Sequence, residues 1–193
     1  LANENITRGV YMVGNPITDA LMWMLPKVQA VETENPYAVV TMHRSENMTY
    51  DVVSGVFEAL DTLSDDLTIL FLAHPRLRNF VQDNKIPTYR IKLQQPVDYM
   101  EMLTLMRNAD VVLTDSGGLQ EETCFLKVPC VTLRLSTERP ETVSVGANRL
   151  ALNVDEIVRA VSEARASPRN WVYPYGDGTS AKKIAEIIQE WIP

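Results

Sequence analysis

Short apolar runs alternate with helical segments along most of this 193-residue chain. The runs are rich in Val, Ile, Leu and Thr and occupy residues 10–13, 38–42, 68–73, 90–93, 110–114 and 131–135. Such runs are typical of strands buried on both faces of a parallel sheet. Apolar residues three and four apart predict helices over residues 17–30, 52–63, 99–107, 155–164 and 181–191. The alternation predicts right-handed βαβ units and a doubly wound α/β sandwich.

The composition is that of a soluble globular protein, with 46% hydrophobic and 22% charged residues. No apolar run approaches the ~20 residues that a bilayer span needs, so a membrane helix is excluded. The net charge of −7 and the pI of about 4.9 argue against a nucleic-acid partner. Cys124 and Cys130 form no metal-ligand pattern, and we expect two reduced thiols in a cytosolic core.

Ligands of open α/β sheets bind beyond the carboxyl ends of the strands, so the residues after each predicted strand are candidate site residues. Both histidines of the chain, His43 and His74, occupy such positions, and Arg44 follows His43. The strand predicted at 110–114 runs into Asp-Ser-Gly-Gly at 115–118. One edge of the sheet is therefore expected to collect most of the unusual chemistry.

The segment 115–118 opens a predicted helix and has two interpretations. Gly117 and Gly118 allow a ligand to approach the backbone closely, and free amides in a first helical turn attract phosphate. Alternatively, Asp115 or Ser116 is an ordinary N-cap, with Gln120 or Glu121 completing a capping box. The segment alone leaves both interpretations open.

Glu122 lies one turn into the same helix, where a carboxylate would oppose a bound phosphate. A ribose diol is a natural neutral partner for it, by analogy with the acidic residue of dinucleotide-binding folds. The simpler alternative is that Glu121 and Glu122 complement the positive end of the helix dipole.

His43 is a candidate for proton transfer beside the fixed cation Arg44, although a lone histidine is often a purely structural residue. Arg134 and Arg139 flank Thr137 and Glu138, and guanidinium groups bind phosphate oxygens in a bidentate manner. Surface ion pairing with neighbouring glutamates is the alternative for the two arginines.

Together these segments resemble the non-hydrolysing UDP-N-acetylglucosamine 2-epimerase family. The resemblance rests on six motifs in order, which are GNPITDA at 14–20, TMHRSEN at 41–47, HP at 74–75, TDSGGLQEE at 114–122, RLSTERPE at 134–141 and YGDG at 175–178. The chain departs from the family at Met102, where some members have an aromatic residue near the uracil. It also departs at Lys127, where a glycine usually ends the helix and a positive φ is expected.

The resemblance covers essentially the whole chain but only the C-terminal half of the family. It implies one Rossmann-like nucleotide-sugar-binding domain over residues 1–193, which is half of a two-domain GT-B architecture. The start at Leu1 fits a fragment that lacks the N-terminal domain and its acidic residues, so we expect the fragment alone to be inactive. The full enzyme is expected to be a cytoplasmic homodimer in cell-envelope polysaccharide biosynthesis, with no nucleic-acid or membrane partner.

The resemblance also implies a reaction, the interconversion of UDP-GlcNAc and UDP-ManNAc by elimination and re-addition of UDP. His43 matches the catalytic histidine and is expected to act in acid/base or leaving-group chemistry. The residues expected to bind the substrate are Arg44, His74, Ser116, Gly117, Gly118, Glu122 and Arg139. Within this set, Ser116, Gly117 and Gly118 are expected to bind the β-phosphate and Glu122 the ribose hydroxyls. No metal and no cofactor are implied.

Three alternative functions remain compatible with the sequence. A hydrolysing 2-epimerase would share these motifs but release UDP and free N-acetylmannosamine. The donor-binding domain of a GT-B glycosyltransferase would need an acceptor. A stand-alone UDP-binding module would catalyse nothing, and the upstream reading frame distinguishes it from the others.

Overall fold

The computed structural model of the protein describes residues 4–28 and 35–191. Its six strands form one parallel sheet in the order β3-β2-β1-β4-β5-β6. The strands are β1 (Tyr37–Thr41), β2 (Thr68–Leu72), β3 (Leu93–Gln94), β4 (Val111–Thr114), β5 (Cys130–Thr132) and β6 (Asn148–Leu150). The predicted fold class, a Rossmann-like parallel sheet between helices, is confirmed.

Eight α-helices within the described residues connect and cover the strands. They are α1 (Pro16–Met24), α2 (Tyr50–Leu63), α3 (Pro75–Asp83), α4 (Tyr99–Asn108), α5 (Gly117–Leu126), α6 (Pro140–Ser144), α7 (Val154–Ala166) and α8 (Ser180–Trp191). Helices α2, α3 and α7 pack on one face of the sheet, and α1, α4 and α5 on the other. Among the described residues, no helix is both long and apolar enough to cross a bilayer.

The central strands are buried on both faces, which explains why their sequences are continuously apolar. In β1, Ala38 and Val40 pack into the core on the α2 side, whereas Tyr37 and Val39 pack into the core on the α4 side. Successive side chains of a strand point to opposite faces, so a strand covered on both sides needs apolar residues at every position.

The chain reverses its direction of travel across the sheet between β1 and β4. It proceeds from β1 outward to β2 and β3, and then returns to place β4 on the other side of β1. Thr41 and Thr114 are register partners at the carboxyl ends of these two strands, and their hydroxyl oxygens lie 2.7 Å apart. The loops after β1 and β4 therefore leave the sheet side by side, at the switch point where ligands of such sheets bind.

Some sequence predictions were wrong or imprecise. Residues 10–13 form no strand, and Met12 is 96% exposed. The run at 131–135 is paired only as far as Thr132, and the run at 90–93 is replaced by the two-residue β3. The helix predicted at 17–30 leaves α-geometry after Met24, because Pro26 lacks an amide proton and a short 3-10 turn follows; residues 29 and 30 lie outside the described residues.

Two predictions about single residues near the end of α5 are confirmed. Lys127 ends the helix in the left-handed region with φ of 60°, the position where a glycine was expected. Its ammonium group donates a hydrogen bond to the Trp171 carbonyl oxygen. Cys124 and Cys130 are buried free thiols, and burial raises the pKa of Cys124 to about 11.

Candidate functional site

A cleft of about 190 Å³ opens at the switch point, between the loop after β1 and the start of α5. His43, His74 and Ser116 line its polar side, and Met102 and Leu119 line its apolar side. Three of the predicted site residues are thus brought together, although they are distant in the sequence.

A buried carboxylate, that of Asp115, connects the loops after β1 and β4. Its oxygens accept hydrogen bonds from the amides of His43 (3.0 and 3.1 Å) and Arg44 (2.8 Å), and from Asn47 Nδ2 (3.1 Å). His43 Nδ1 lies 3.0 Å from Asp115 Oδ1. Burial alone would raise the pKa of Asp115, but these hydrogen bonds, that of the His43 ring foremost, hold the pKa below its ordinary value. Asp115 is therefore an ionised partner of His43.

His74 is the N-cap residue of α3, and its ring is held in a different way from that of His43. Its Nδ1 accepts a hydrogen bond from the Arg76 amide at 3.1 Å, and Pro75 fixes the first helical residue. The rings of His43 and His74 are 6.3 Å apart between centroids and inclined by 47°. Both imidazoles therefore face the same cleft, each fixed by a hydrogen bond at Nδ1.

The start of α5 is not a capping box. In the described chain, no side chain accepts a hydrogen bond from the first amides of α5, although Ser116 stands at the N-cap. Gln120 Nε2 instead donates to the Ser116 carbonyl oxygen at 3.2 Å, and Asp115 bonds to the loop after β1. The amides of Gly117 and Gly118 are thus left without a side-chain cap, which favours the anion-binding interpretation.

Arg139 lies close to these amides. A Cβ placed on Gly117 would lie 3.9 Å from the Arg139 guanidinium and 3.9 Å from a Glu138 carboxylate oxygen. The Arg139 guanidinium also forms an ion pair with Glu121, a side chain that is 6% exposed. Gly117 therefore leaves an open space that is bordered by the Arg139 guanidinium and the Glu138 carboxylate.

Arg44 and Arg134 form an ion-pair cluster with Glu46 and Glu138. Arg134 donates to Glu138 at 2.6 Å and lies 3.5 Å from Glu46, and Arg44 lies 3.9 Å from Glu138. The hydrogen bond from Arg134, together with the charges around it, lowers the pKa of Glu138 to about 2. Ion pairing, the alternative considered from the sequence, is thus realised for Arg134.

A buried amide network fixes the loop that carries Arg139. Gln120 Oε1 accepts hydrogen bonds from Thr137 Oγ1 at 2.5 Å and Asn148 Nδ2 at 3.1 Å. Thr137 Oγ1 in turn accepts a hydrogen bond from the Arg139 amide at 2.9 Å. Because Gln120 and Asn148 are almost completely buried, this network ties the loop to α5 and β6 in one conformation.

Glu122 is buried on the next turn of α5, with 6% of its surface exposed. Its Oε1 accepts a hydrogen bond from the Tyr99 hydroxyl at 3.0 Å. Burial raises the pKa of Glu122 to about 7, with a smaller contribution from the charge of Glu121, whereas the Tyr99 hydrogen bond acts in the opposite direction. A buried carboxylate with a raised pKa, three residues after Leu119 of the cleft, is a stronger functional candidate than a solvated residue at a helix end.

Three residues of this region were missed or misassigned by the sequence analysis. Asp115 was considered only as a cap, Tyr99 only as the start of a helix, and Glu121 only as a capping-box residue or a complement to the helix dipole. A signal for Asp115 was available in its position after a strand. Asp115 follows β4 directly, and His43 follows β1 after one intervening residue. Strand order, which the sequence does not state, is what makes those positions neighbours.

The doubly wound sheet and the polar groups at its switch point define a Rossmann-like α/β domain. The chain belongs to the UDP-N-acetylglucosamine 2-epimerase family, whose family model matches residues 1–189. The UDP-N-acetylglucosamine 2-epimerase of Methanocaldococcus jannaschii is 40% identical over 93% of this chain and 54% of its own length.

Solved structures agree with this assignment. A crystal structure of the M. jannaschii UDP-GlcNAc 2-epimerase in complex with UDP-GlcNAc and UDP matches 98% of this chain and 57% of its own chain, with a TM-score of 0.86 and 37% identity. The Neisseria meningitidis enzyme bound to UDP-GlcNAc matches 98% of this chain and 58% of its own, with a TM-score of 0.85 and 27% identity. The chain spans about half the length of the curated relatives it matches.

Proposed function

We propose that this chain forms the UDP-binding half of a UDP-GlcNAc 2-epimerase that interconverts UDP-GlcNAc and UDP-ManNAc. The observation that carries the proposal is the uncapped start of α5, placed beside the His43–Asp115 pair at the switch point of the sheet. Relatives crystallised with UDP-GlcNAc and UDP share this fold, which supports the same class of ligand here.

The diphosphate is proposed to bind at the start of α5. The amides of Gly117 and Gly118 and the hydroxyl of Ser116 donate hydrogen bonds to the β-phosphate, and the helix dipole favours its charge. Arg139 borders this position, Arg44 lies 3.9 Å from Glu138 beside it, and His74 lines the cleft. Arginine forks suit phosphate oxygens, so the two guanidinium groups complete the anion site.

The nucleoside is proposed to extend along α5 toward Tyr99. Glu122 accepts hydrogen bonds from the ribose hydroxyls, as a buried carboxylate with one oxygen already held by Tyr99. The apolar side of the cleft, which includes Met102 and Leu119, receives the base. Apolar walls with a few fixed polar groups are typical of small-ligand sites.

The chemistry requires that the configuration at C2 of the sugar be inverted. A base takes the C2 proton while UDP leaves C1 with the electrons of the C1–O bond, and a double bond remains between C1 and C2. UDP then adds back to C1, and a proton is delivered to the opposite face of C2, which inverts that centre alone. Negative charge develops on the departing diphosphate, so the amides and cations at α5 stabilise the transition state. His43 exchanges a proton during this sequence.

We propose that the other half of the enzyme closes the cleft and supplies acidic residues, and that the complete enzyme is a homodimer. We also propose that it acts in the cytoplasm in the synthesis of cell-envelope polysaccharides, which fits a nucleotide-sugar substrate. The matches to about half of each relative support the two-half arrangement.

Calorimetric titration of UDP and uridine tests the ligand assignment. We expect UDP to bind more tightly than uridine, and Gly117→Ala to weaken UDP binding while leaving uridine binding unchanged, because the new methyl group covers the amides. Gly55→Ala is the matched control, since Gly55 lies in α2 away from the cleft and its Cβ would make only an ordinary 3.6 Å contact with Val154 of α7. Equal affinities for UDP and uridine would rule out the phosphate site.

A further inference from the structure

The contact between the His43 ring and the Asp115 carboxylate determines which ring nitrogen carries the proton of the neutral imidazole. An ionised carboxylate is only an acceptor, so the His43 nitrogen 3.0 Å away must be protonated at Nδ1. In the described part of the chain, Nε2 of His43 has no hydrogen-bond partner, and His43 lines the cleft. The neutral ring therefore offers its Nε2 lone pair to a ligand in the cleft.

His74 shows the opposite arrangement. Its Nδ1 accepts the Arg76 amide, so that nitrogen carries the lone pair and the proton of the neutral ring is on Nε2. The two histidines of the chain therefore present different groups to one cleft, an acceptor from His43 and a donor from His74.

We propose that Asp115 is a positioning residue that sets the Nδ1–H tautomer of His43, so that Nε2 is the atom through which His43 exchanges its proton. The inference rests on the proposed function and specifies the role of His43 within it. When Nε2 accepts a proton, the ring becomes an imidazolium that keeps its Nδ1–H bond to Asp115, and the carboxylate remains ionised. The same proton leaves from Nε2 in the reverse direction.

The surroundings of Asp115 predict what an amide would do in its place. Asp115 Oδ2 accepts three hydrogen bonds, from the backbone amides of His43 and Arg44 and from Asn47 Nδ2. All three groups are donors, so only an oxygen can satisfy them at this position. In Asp115→Asn the carbonyl oxygen is therefore expected to take the Oδ2 position, with the NH₂ group directed at His43 Nδ1. That group is a donor, so the ring would have to move its proton to Nε2. Such an exchange of tautomer, with the geometry retained, is known to abolish most of the activity of a catalytic histidine.

Nitrogen-15 NMR of the imidazoles in the 193-residue chain tests the inference. The spectra are recorded near pH 8.5, where an unperturbed imidazole is neutral. Since the chain has two histidines, His74→Gln assigns the His43 signals. We expect wild-type His43 to be protonated at Nδ1 and His74 at Nε2. Asp115→Asn should exchange the protonated and unprotonated signals of His43 and leave those of His74 unchanged.

Asp110→Asn is the matched control, because Asp110 precedes β4 at its other end and pairs with Arg165 and Arg169. It should leave both tautomers unchanged. Wild-type His43 protonated at Nε2 would overturn the inference even if Asp115→Asn does not fold. A folded Asp115→Asn chain with His43 still protonated at Nδ1 would also overturn it.

UDP titration of the same samples separates this inference from the proposed function. A chain with the expected tautomers that fails to bind UDP contradicts the function and supports the role of Asp115 in setting the tautomer. A chain that binds UDP with the wrong tautomer contradicts the role of Asp115 alone.

Discussion

The Tyr99 hydroxyl donates a hydrogen bond to Glu122 across 3.0 Å, linking the first turn of α4 to the second turn of α5. The bond is made to a carboxylate whose pKa is raised to about 7, chiefly by burial. Glu122 is therefore close to half-protonated at neutral pH in the ligand-free chain. A ribose diol that binds the ionised form competes with a proton for the same carboxylate.

Glu122→Gln is expected to weaken UDP binding by a factor of about ten or more. Loss of charge-assisted hydrogen bonds to the ribose hydroxyls costs roughly 1.5–3 kcal/mol. The measurement is calorimetric titration, with 2′,3′-dideoxy-UDP as the control ligand, because it lacks the partner hydroxyls and should respond far less.

If Glu122 only complements the helix dipole, the same substitution has a different signature. It should then cost about 0.3–1 kcal/mol of stability and leave UDP binding unchanged or tighter, because a negative charge near the phosphate is removed. UDP affinity equal to or above that of the parent would end the ribose hypothesis.

The raised pKa of Glu122 also predicts how stability depends on pH. Between its ordinary pKa of 4.5 and its folded pKa of about 7, the folded chain holds more protons than the unfolded one. The contribution of Glu122 to the free energy of unfolding is thus complete below the unfolded pKa and is lost as the pH rises through 7. Glu122→Gln removes this loss, so its stability relative to the parent should be higher at pH 8 than at pH 5. Urea denaturation at both values measures the difference, and a difference of opposite sign would contradict the buried, raised-pKa carboxylate.

Arg139→Met is expected to destabilise the fold by about 2 kcal/mol, because it leaves the buried Glu121 carboxylate without its partner. The figure lies below the usual 3–5 kcal/mol for a buried pair because the Arg139 side chain is 34% exposed. The double variant with Glu121→Gln should recover most of the loss. Urea unfolding of the parent, the two single variants and the double variant gives the four stabilities. If the two losses of stability simply add in the double variant, the two side chains do not interact.

Lys127→Gly is expected to be more stable than Lys127→Ala by about 1 kcal/mol. Both variants lose the lysine side chain, but an alanine at φ of 60° retains the strain of a left-handed residue and a glycine does not. At Glu101, an exposed residue in α4, the order should reverse, because glycine is the poorer helix residue. Urea midpoints of the four variants give the comparison; an alanine variant that is more stable than the glycine variant at both sites would contradict a left-handed Lys127.

The 193-residue chain by itself is expected to give no significant epimerase turnover. It matches about half of each relative, and the resemblance places acidic residues of the reaction in the other half. Chromatography of UDP-GlcNAc incubated with the chain measures the product. Robust formation of UDP-ManNAc would show that this half is sufficient.

The central strands could be predicted because burial on both faces makes their sequences continuously apolar, as in β1 and β4. The run at 10–13 has a similar composition but finds no strand to pair with, which no local pattern reveals. Helix α3 was missed because it buries few side chains, chiefly Leu77 and Val81. β6 was missed because it has three residues and begins with the buried amide Asn148.

The position of the candidate site could be predicted because histidines and glycines after strand ends are local features. The partners within it could not. Asp115 bonds to His43 across 72 residues of sequence, and Gln120 bonds to Asn148 across 28. Which polar groups satisfy one another depends on strand order and on helix rotation, both of which are decided by packing of the whole domain.

The adjacency of β1 and β4 also has a consequence for how the site forms during folding. His43 and Asp115 are separated in the chain by three strands and three α-helices, yet their loops lie side by side. Contacts between such distant residues form late, after the entropy of closing a long loop has been overcome. The amide protons of His43 and Arg44, both bonded to Asp115, should therefore exchange with deuterium only when the two halves of the sheet separate. A chain caught midway through folding already contains the histidine, but its ring is free to carry its proton on either nitrogen.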